Sequence, residues 1–156
     1  MSRHAQSQKL IAAACAGATL LITGCSTSNA SRNTEQPHPV TVTVANSFIP
    51  KPINGNAGGF MIITNESDTV DKLLEVKADI SDDVQLHETR DGKMQSVRAF
   101  DIPAANSRSL SRGGDHVMFM NLKRDLNVGD NVQVHLIFEK SGPVDVTFDV
   151  RERTSR

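Results

Sequence analysis

The sequence predicts an all-β sandwich, and three observations predict it. Apolar residues come in short alternating runs, as in VTVTVAN at 40–46, NVQVHLIFEK at 131–140 and PVDVTFDVR at 143–151, and alternation with a period of two turns one face of each strand towards a core. Ser, Asp, Asn, Gly and Pro separate these runs, which is turn chemistry between strands. From Val40 onward no helical periodicity of useful length interrupts the pattern. With 156 residues, 38% of them hydrophobic, and no Trp or Tyr, the chain has the material for a single small core.

The first residues belong to targeting and are left out of the fold. Arg3, His4 and Lys9 precede the apolar run LIAAACAGATLLI, which is short for a membrane span and closes on Ile22-Thr23-Gly24-Cys25. That ending resembles a bacterial lipoprotein box. It makes residues 1–24 a signal peptide cut before Cys25, whose thiol would carry diacylglycerol, and two or three acyl chains give stable anchoring. The mature protein is then extracytoplasmic and lipid-anchored to the cell membrane. The plainer alternatives are an ordinary secretory signal or an uncleaved anchor with Cys25 incidental. Residues 25–39, CSTSNASRNTEQPHP, are polar and Pro-containing and read as a flexible tether in which His38 is an exposed linker residue.

The folded domain is expected over residues 40–151, with 152–156 as a tail. In the first strand Val40, Val42 and Val44 share a face. FIPKPINGNAGG (48–59) reads as a loop, since its two prolines remove ladder donors and Asn54-Gly55 and Gly58-Gly59 are turn pairs. FMIITNES, VDKLLEVKAD and DVQLHET read as strands, and MQSVRAFDIPA as an edge segment limited by Pro103. SRSLSRGG leads into DHVMFMN, a strand whose entry is freed by Gly113-Gly114 to bend and bring His116 to the rim. LKRDLNVGDNV is a connection turning at Gly129-Asp130. The last two runs form a hairpin across Ser141-Gly142, with Val132, Val134, Leu136 and Phe138 packed with Val144, Val146, Phe148 and Val150.

Composition removes several function classes. Both cysteines, Cys15 and Cys25, precede the domain, so it has neither disulfide nor thiolate. A blue-copper electron carrier needs a Cys ligand. There is no phosphate-binding glycine loop, no Ser-His-acid arrangement and no close carboxylate pair, which leaves no enzyme reading. Removing residues 1–24 takes Arg3 and Lys9 from the 17 basic residues and none from the 18 acidic ones, a mature balance of 15 against 18 that offers no nucleic-acid patch.

What remains is a constellation of His and Met. His87 is followed after six residues by Met94, Met94 after twenty-one by His116, and only Val117 separates His116 from Met118. In a strand, His116, Met118 and Met120 lie on one face, and His87 lies opposite the face that carries Leu86. A turn at DGKM would carry His87 and Met94 to the same point. Two imidazoles and two thioethers without a thiolate suit Cu(I), whereas Zn(II) sites use Cys, His and carboxylate. Asp115 is placed to orient an imidazole by accepting its free N–H, and Met120 to flank the site. The plainer readings are a core-filling Met118, an idle outward His87, a loop-tip Met94 and, for His135, an exposed strand histidine.

HETRDGKM followed by GGDHVMFMNLKRDLNVGDNVQVHLIFEKSGPVDVTFDV resembles the PCu(A)C family of extracytoplasmic copper chaperones over roughly residues 40–150. The family pattern is a His, a Met about ten residues later, about twenty-one more residues, then His-x-Met. The second interval and the HVM triplet match, while the first is shortened to six. The resemblance implies a cupredoxin-like, immunoglobulin-like Greek-key β-sandwich that binds one Cu(I) through His87, Met94, His116 and Met118. It also implies delivery towards the copper centre of cytochrome c oxidase, with an oxidase subunit or another copper chaperone as partner. Exchange of neutral ligands for those of an acceptor would move the ion. Two rivals stay open: copper sequestration for tolerance, and an interaction lipoprotein whose metal site is weakened by the shortened interval.

Overall fold

The structure, a computed structural model, describes residues 41–153. The signal peptide, Cys25, the tether with His38, Val40 and the last three residues of the tail lie outside the described residues. Ten strands follow in order: β1 (Val42–Pro50), β2 (Ala57–Asn65), β3 (Asp71–Ala78), β4 (Asp83–Arg90), β5 (Lys93–Val97), β6 (Phe100–Ile102), β7 (Asn106–Leu110), β8 (His116–Met120), β9 (Asn131–Phe138) and β10 (Pro143–Arg151). One layer runs β6-β3-β9-β10-β1-β2 with β7 on β2, and the other runs β5-β4-β8-β2. β2 belongs to both, pairing β8 through Ala57–Gly59 and β7 through Met61–Asn65. All neighbouring strands are antiparallel except β1 and β10.

The alternation of β9 places Val132, Val134, Leu136 and Phe138 in the core as expected. Its partner departs from expectation: Phe148 and Val150 are buried, but Val144 and Val146 are half-buried. The reason is topological. β1 pairs with β10 only at Phe48–Pro50 against Asp149–Arg151, which leaves the start of β10 without a neighbour on that side.

The loop expected from Phe48 is also corrected. β1 continues to Pro50 because a bulge between Ala45 and Phe48, with Asn46 at φ 53°, changes the phase of the strand. Asn tolerates that left-handed conformation, and an extra residue moves the following side chains to the other face, so Ile49 enters the core. Gly58 and Gly59 lie within β2, and a Cβ on Gly59 would stand 2.8 Å from the Phe119 ring and 3.1 Å from Phe148. Glycine here serves close packing. The edge segment after Met94 splits into β5 and β6, which end opposite layers.

Far from the rim, Asp71 ties the β9–β10 hairpin to β3. Its carboxylate accepts N–H bonds from Lys72 (2.7 Å), Lys140 (2.9 Å) and Ser141 (3.0 Å) and the Ser141 hydroxyl (2.6 Å), and the residue is fully buried. Burial pushes its pKa up, and the Ser141 and backbone hydrogen bonds outweigh that and hold it below the ordinary value. A lowered folded-state pKa adds stability above the unfolded-state value, and this is lost as pH falls through the folded value. Asp71→Ala is therefore expected to cost about 3 kcal/mol at neutral pH, since several donors lose their acceptor. Denaturant titrations at neutral pH and near pH 3 should show the gap between the two proteins narrowing on acidification.

Candidate metal centre

β4 and β8 run antiparallel with His87 directly opposite His116, Leu86 opposite Val117 and Gln85 opposite Met118. Directly paired residues project to one face of a sheet. Leu86 and Val117 fill the core, so His87, His116, Gln85 and Met118 all stand on the outer face of this layer. The two imidazoles meet edge to face with centroids 5.5 Å apart. Across the other edge of β8, Met118 faces Gly58, and the Phe60 ring covers that glycine, 3.3 Å from where a Cβ would stand. Phe60, with its ring centroid 6.3 Å from that of His116, walls the site on that side.

The hydrogen bonds fix which nitrogens are free. His116 Nδ1 lies 2.9 Å from the Gly114 carbonyl, and because a carbonyl only accepts, Nδ1 carries a proton, so that in the neutral ring Nε2 holds the lone pair. His87 Nε2 lies 3.0 Å from Gln85 Oε1 and donates to it. Its Nδ1 is then an unprotonated, buried nitrogen with no hydrogen-bond partner among the described residues. A buried acceptor left unpaired costs stability, and such a nitrogen is suited to a ligand. Burial first, and the neighbouring His116 second, lower the His87 pKa, which favours the neutral imidazole that a metal needs.

Met94 reaches the same face but not the same station. β4 and β5 are joined by the two-residue turn Asp91-Gly92, both at positive φ (50° and 72°), the geometry that suits the twist of a hairpin. Thr89 then pairs with Met94, and His87 pairs with Ser96. In this hairpin an eight-residue interval would set the His and the Met directly opposite. Six residues keep Met94 on the correct face and move it one step towards the tip, where it is 58% exposed. Met94, His116 and Met118 line one cleft of about 520 Å³, together with Phe60, Gly58 and Thr89. His87 does not line it and joins the group through its ring contact with His116.

Among the described residues no three His, Cys, Asp or Glu side chains converge as a metal site. A metal held by His87 and His116 would complete its shell from Met118 and Met94. Met120 stands on the same outer face, opposite Asp83 and one step beyond Met118. The expected role of Asp115 is corrected: its carboxylate pairs with Arg108 at 2.6 Å, and the His116 N–H goes to the Gly114 carbonyl. The exposed His135 pairs with Asp145 at 2.6 Å on the far layer. The sequence reading missed Gln85 and Phe60 as neighbours of the imidazoles. Alternation places Gln85 beside His87, but Phe60 was hidden behind the supposed loop.

Comparison with known proteins gives a consistent picture. The family model described as "Putative lipoprotein LpqE-like" matches residues 36–150. The "Putative lipoprotein Lxx21020" of Leifsonia xyli subsp. xyli is 28% identical over 92% of this chain and 91% of its own. The solved apo PCuAC domain from PmoF1 is 26% identical, with TM-score 0.67 over 74% of this chain and 98% of that domain. Cu(I)-bound DR1885 from Deinococcus radiodurans is 29% identical, with TM-score 0.62 over 81% of this chain and 87% of that protein. The copper-bound PCuAC domain from PmoF2, 24% identical with TM-score 0.65, has the same fold. The resemblance read from the sequence and the cupredoxin-like β architecture are both borne out.

Proposed function

The chain belongs to the LpqE-like family of lipoproteins, and from that premise we propose that it is an extracytoplasmic, membrane-anchored copper chaperone binding one Cu(I) through His87, His116, Met118 and Met94. One observation carries the proposal: on the outer face of β4 and β8, opposed imidazoles offer His116 Nε2 and the unpartnered His87 Nδ1 beside the thioether of Met118. Two nitrogens and soft, neutral sulfur suit Cu(I), and the copper named for DR1885 and the PmoF2 domain is in keeping with that choice.

The ion is cargo, so release matters as much as capture. In this reading His116 and Met118, on a strand embedded between β4 and β2, form the fixed half of the site. Met94, on the edge strand near the hairpin tip, is the ligand that leaves first. An acceptor thiolate or thioether enters at its place and draws the ion off stepwise. We assign the acceptor to the copper centre of cytochrome c oxidase or to another chaperone, with the Cys25 anchor holding the domain near the membrane. The displaced Met94 also favours a second reading, an interaction lipoprotein with a weakened site.

Anaerobic Cu(I) titration against a competing chelator separates the two. One equivalent is expected, weakened about tenfold or more by Met118→Ala, or about 1.4 kcal/mol, and less by Met94→Ala. Met94→Ala should change the rate of transfer to a thiolate acceptor more than the affinity. Absence of binding, or binding indifferent to Met118, would leave the interaction reading.

A further inference from the structure

Between the end of β7 and the start of β8 the chain leaves β2 and returns to it. Met61 pairs with Leu110 and Gly59 pairs with Val117, so residues 111–116 form an excursion opposite Phe60. Two backbone bonds close it, Ser111 N–H to the Asp115 carbonyl (2.8 Å) and Gly114 N–H to the Ser111 carbonyl (3.0 Å). The excursion supplies the Gly114 carbonyl that holds His116 Nδ1, so its placement sets the ring.

One side chain reaches across to fix it. Arg108 stands in β7 opposite the fully buried Ile63, and its guanidinium lies 4.5 Å above the centre of the Phe100 ring. From there one terminal nitrogen donates to the Asp101 carbonyl at 3.0 Å and the other to the Asp115 carboxylate at 2.6 Å. Its Nε is buried with no hydrogen-bond partner among the described residues. An N–H left unpaired there costs stability, which the other contacts of the guanidinium must offset. What the guanidinium adds is a tether from β7 and the Asp101 carbonyl of β6 to the residue immediately before His116.

We infer that Arg108, acting through Asp115, is a positioning residue that holds the 111–115 excursion so that the Gly114 carbonyl locks His116 with its proton on Nδ1 and its lone pair on Nε2. The inference rests on the copper reading for its purpose but not for its geometry. Histidine ligands are oriented by the partner of their other nitrogen, and loss of such an outer partner typically costs about 10–100-fold in metal affinity. Arg108→Met keeps the bulk over Phe100 and removes the tether. Arg108→Lys keeps the charge but loses the fork that spans Asp101 and Asp115.

The test uses the full chain, labelled with nitrogen-15 histidine, with Arg108→Met, Arg108→Lys and Asp115→Asn compared with the parent. In the copper-free parent, the His116 nitrogen shifts should report one tautomer with the proton on Nδ1. Arg108→Met should give a mixture of tautomers and a roughly tenfold weaker Cu(I) affinity in a domain that stays folded, and Arg108→Lys should recover part of the affinity. Asp115→Asn should do the same, and the double variant Arg108→Met/Asp115→Asn should lose little more than either single change, since the two act as one unit. A single unchanged tautomer in folded Arg108→Met or Asp115→Asn would overturn the inference. The nitrogen spectra need no metal, so a parent chain that binds no Cu(I) would defeat the copper reading and leave this result standing.

Discussion

His116→Ala is expected to lower Cu(I) affinity by at least about 100-fold, or about 2.8 kcal/mol, while the sandwich stays folded. Three features make this residue the pivot. Among the described residues its ring is the one imidazole that lines the cleft, it is 6% exposed, and its orientation is fixed by the Gly114 carbonyl before any metal arrives. A preorganised ligand pays little ordering entropy on binding, so its removal costs more than that of a mobile one. Met94, at the exposed tip, is the contrasting case. Competition titration checks the affinity, and circular dichroism of the same variant checks the fold. A loss no greater than that caused by Met94→Ala would place the ion elsewhere.

Phe119→Ala should have the largest effect on stability, about 3–5 kcal/mol. The residue is fully buried, meets Phe148 edge to face with centroids 6.4 Å apart, and fills the space that Gly59 leaves open. The glycine that faces it has no side chain to help close the cavity. Small domains are stable by roughly 5–15 kcal/mol, so much of the reserve would go, with a fall in Tm of about 15 °C or more. Phe119 also lies next to Met118 and Met120 on β8, and its loss should loosen the strand that carries two of the candidate ligands. Thermal unfolding followed by circular dichroism decides; a fall of only a few degrees would mean that the core collapses around the gap.

Where alternation was unbroken, the sequence was a reliable guide. β9 carries its four apolar residues inward, and VQLHET turns Leu86 in and His87 out, because period two needs no knowledge of the partner strand. β1 broke the rule through a bulge at Asn46, which shifts phase at a residue with no strong signal of its own, and the strand then ran on into what had read as loop. The opposition of His87 and His116 could not be read at all. It depends on pairing between strands separated by β5, β6 and β7, and register between distant strands is set by the packing of the whole sandwich. Asp115 was placed beside His116 by adjacency in the chain, and in the fold its carboxylate turns to Arg108, a residue with no sequence signal. The Met94 interval was informative in a way that needed the hairpin: an even shortening around Asp91-Gly92 preserves the face and changes the distance.

The central claim is that the ion lies between imidazole nitrogen and methionine sulfur on the outer face of β4 and β8. Copper K-edge X-ray absorption on residues 36–156 loaded with one equivalent of Cu(I) tests it most directly, because that span contains no cysteine and any sulfur bound to the metal must be a thioether. The account predicts a Cu(I) edge and a mixed shell of nitrogen and sulfur, with sulfur scattering reduced in Met118→Ala and nitrogen scattering reduced in His116→Ala. A shell of nitrogen and oxygen alone, or one unchanged in both variants, would contradict it.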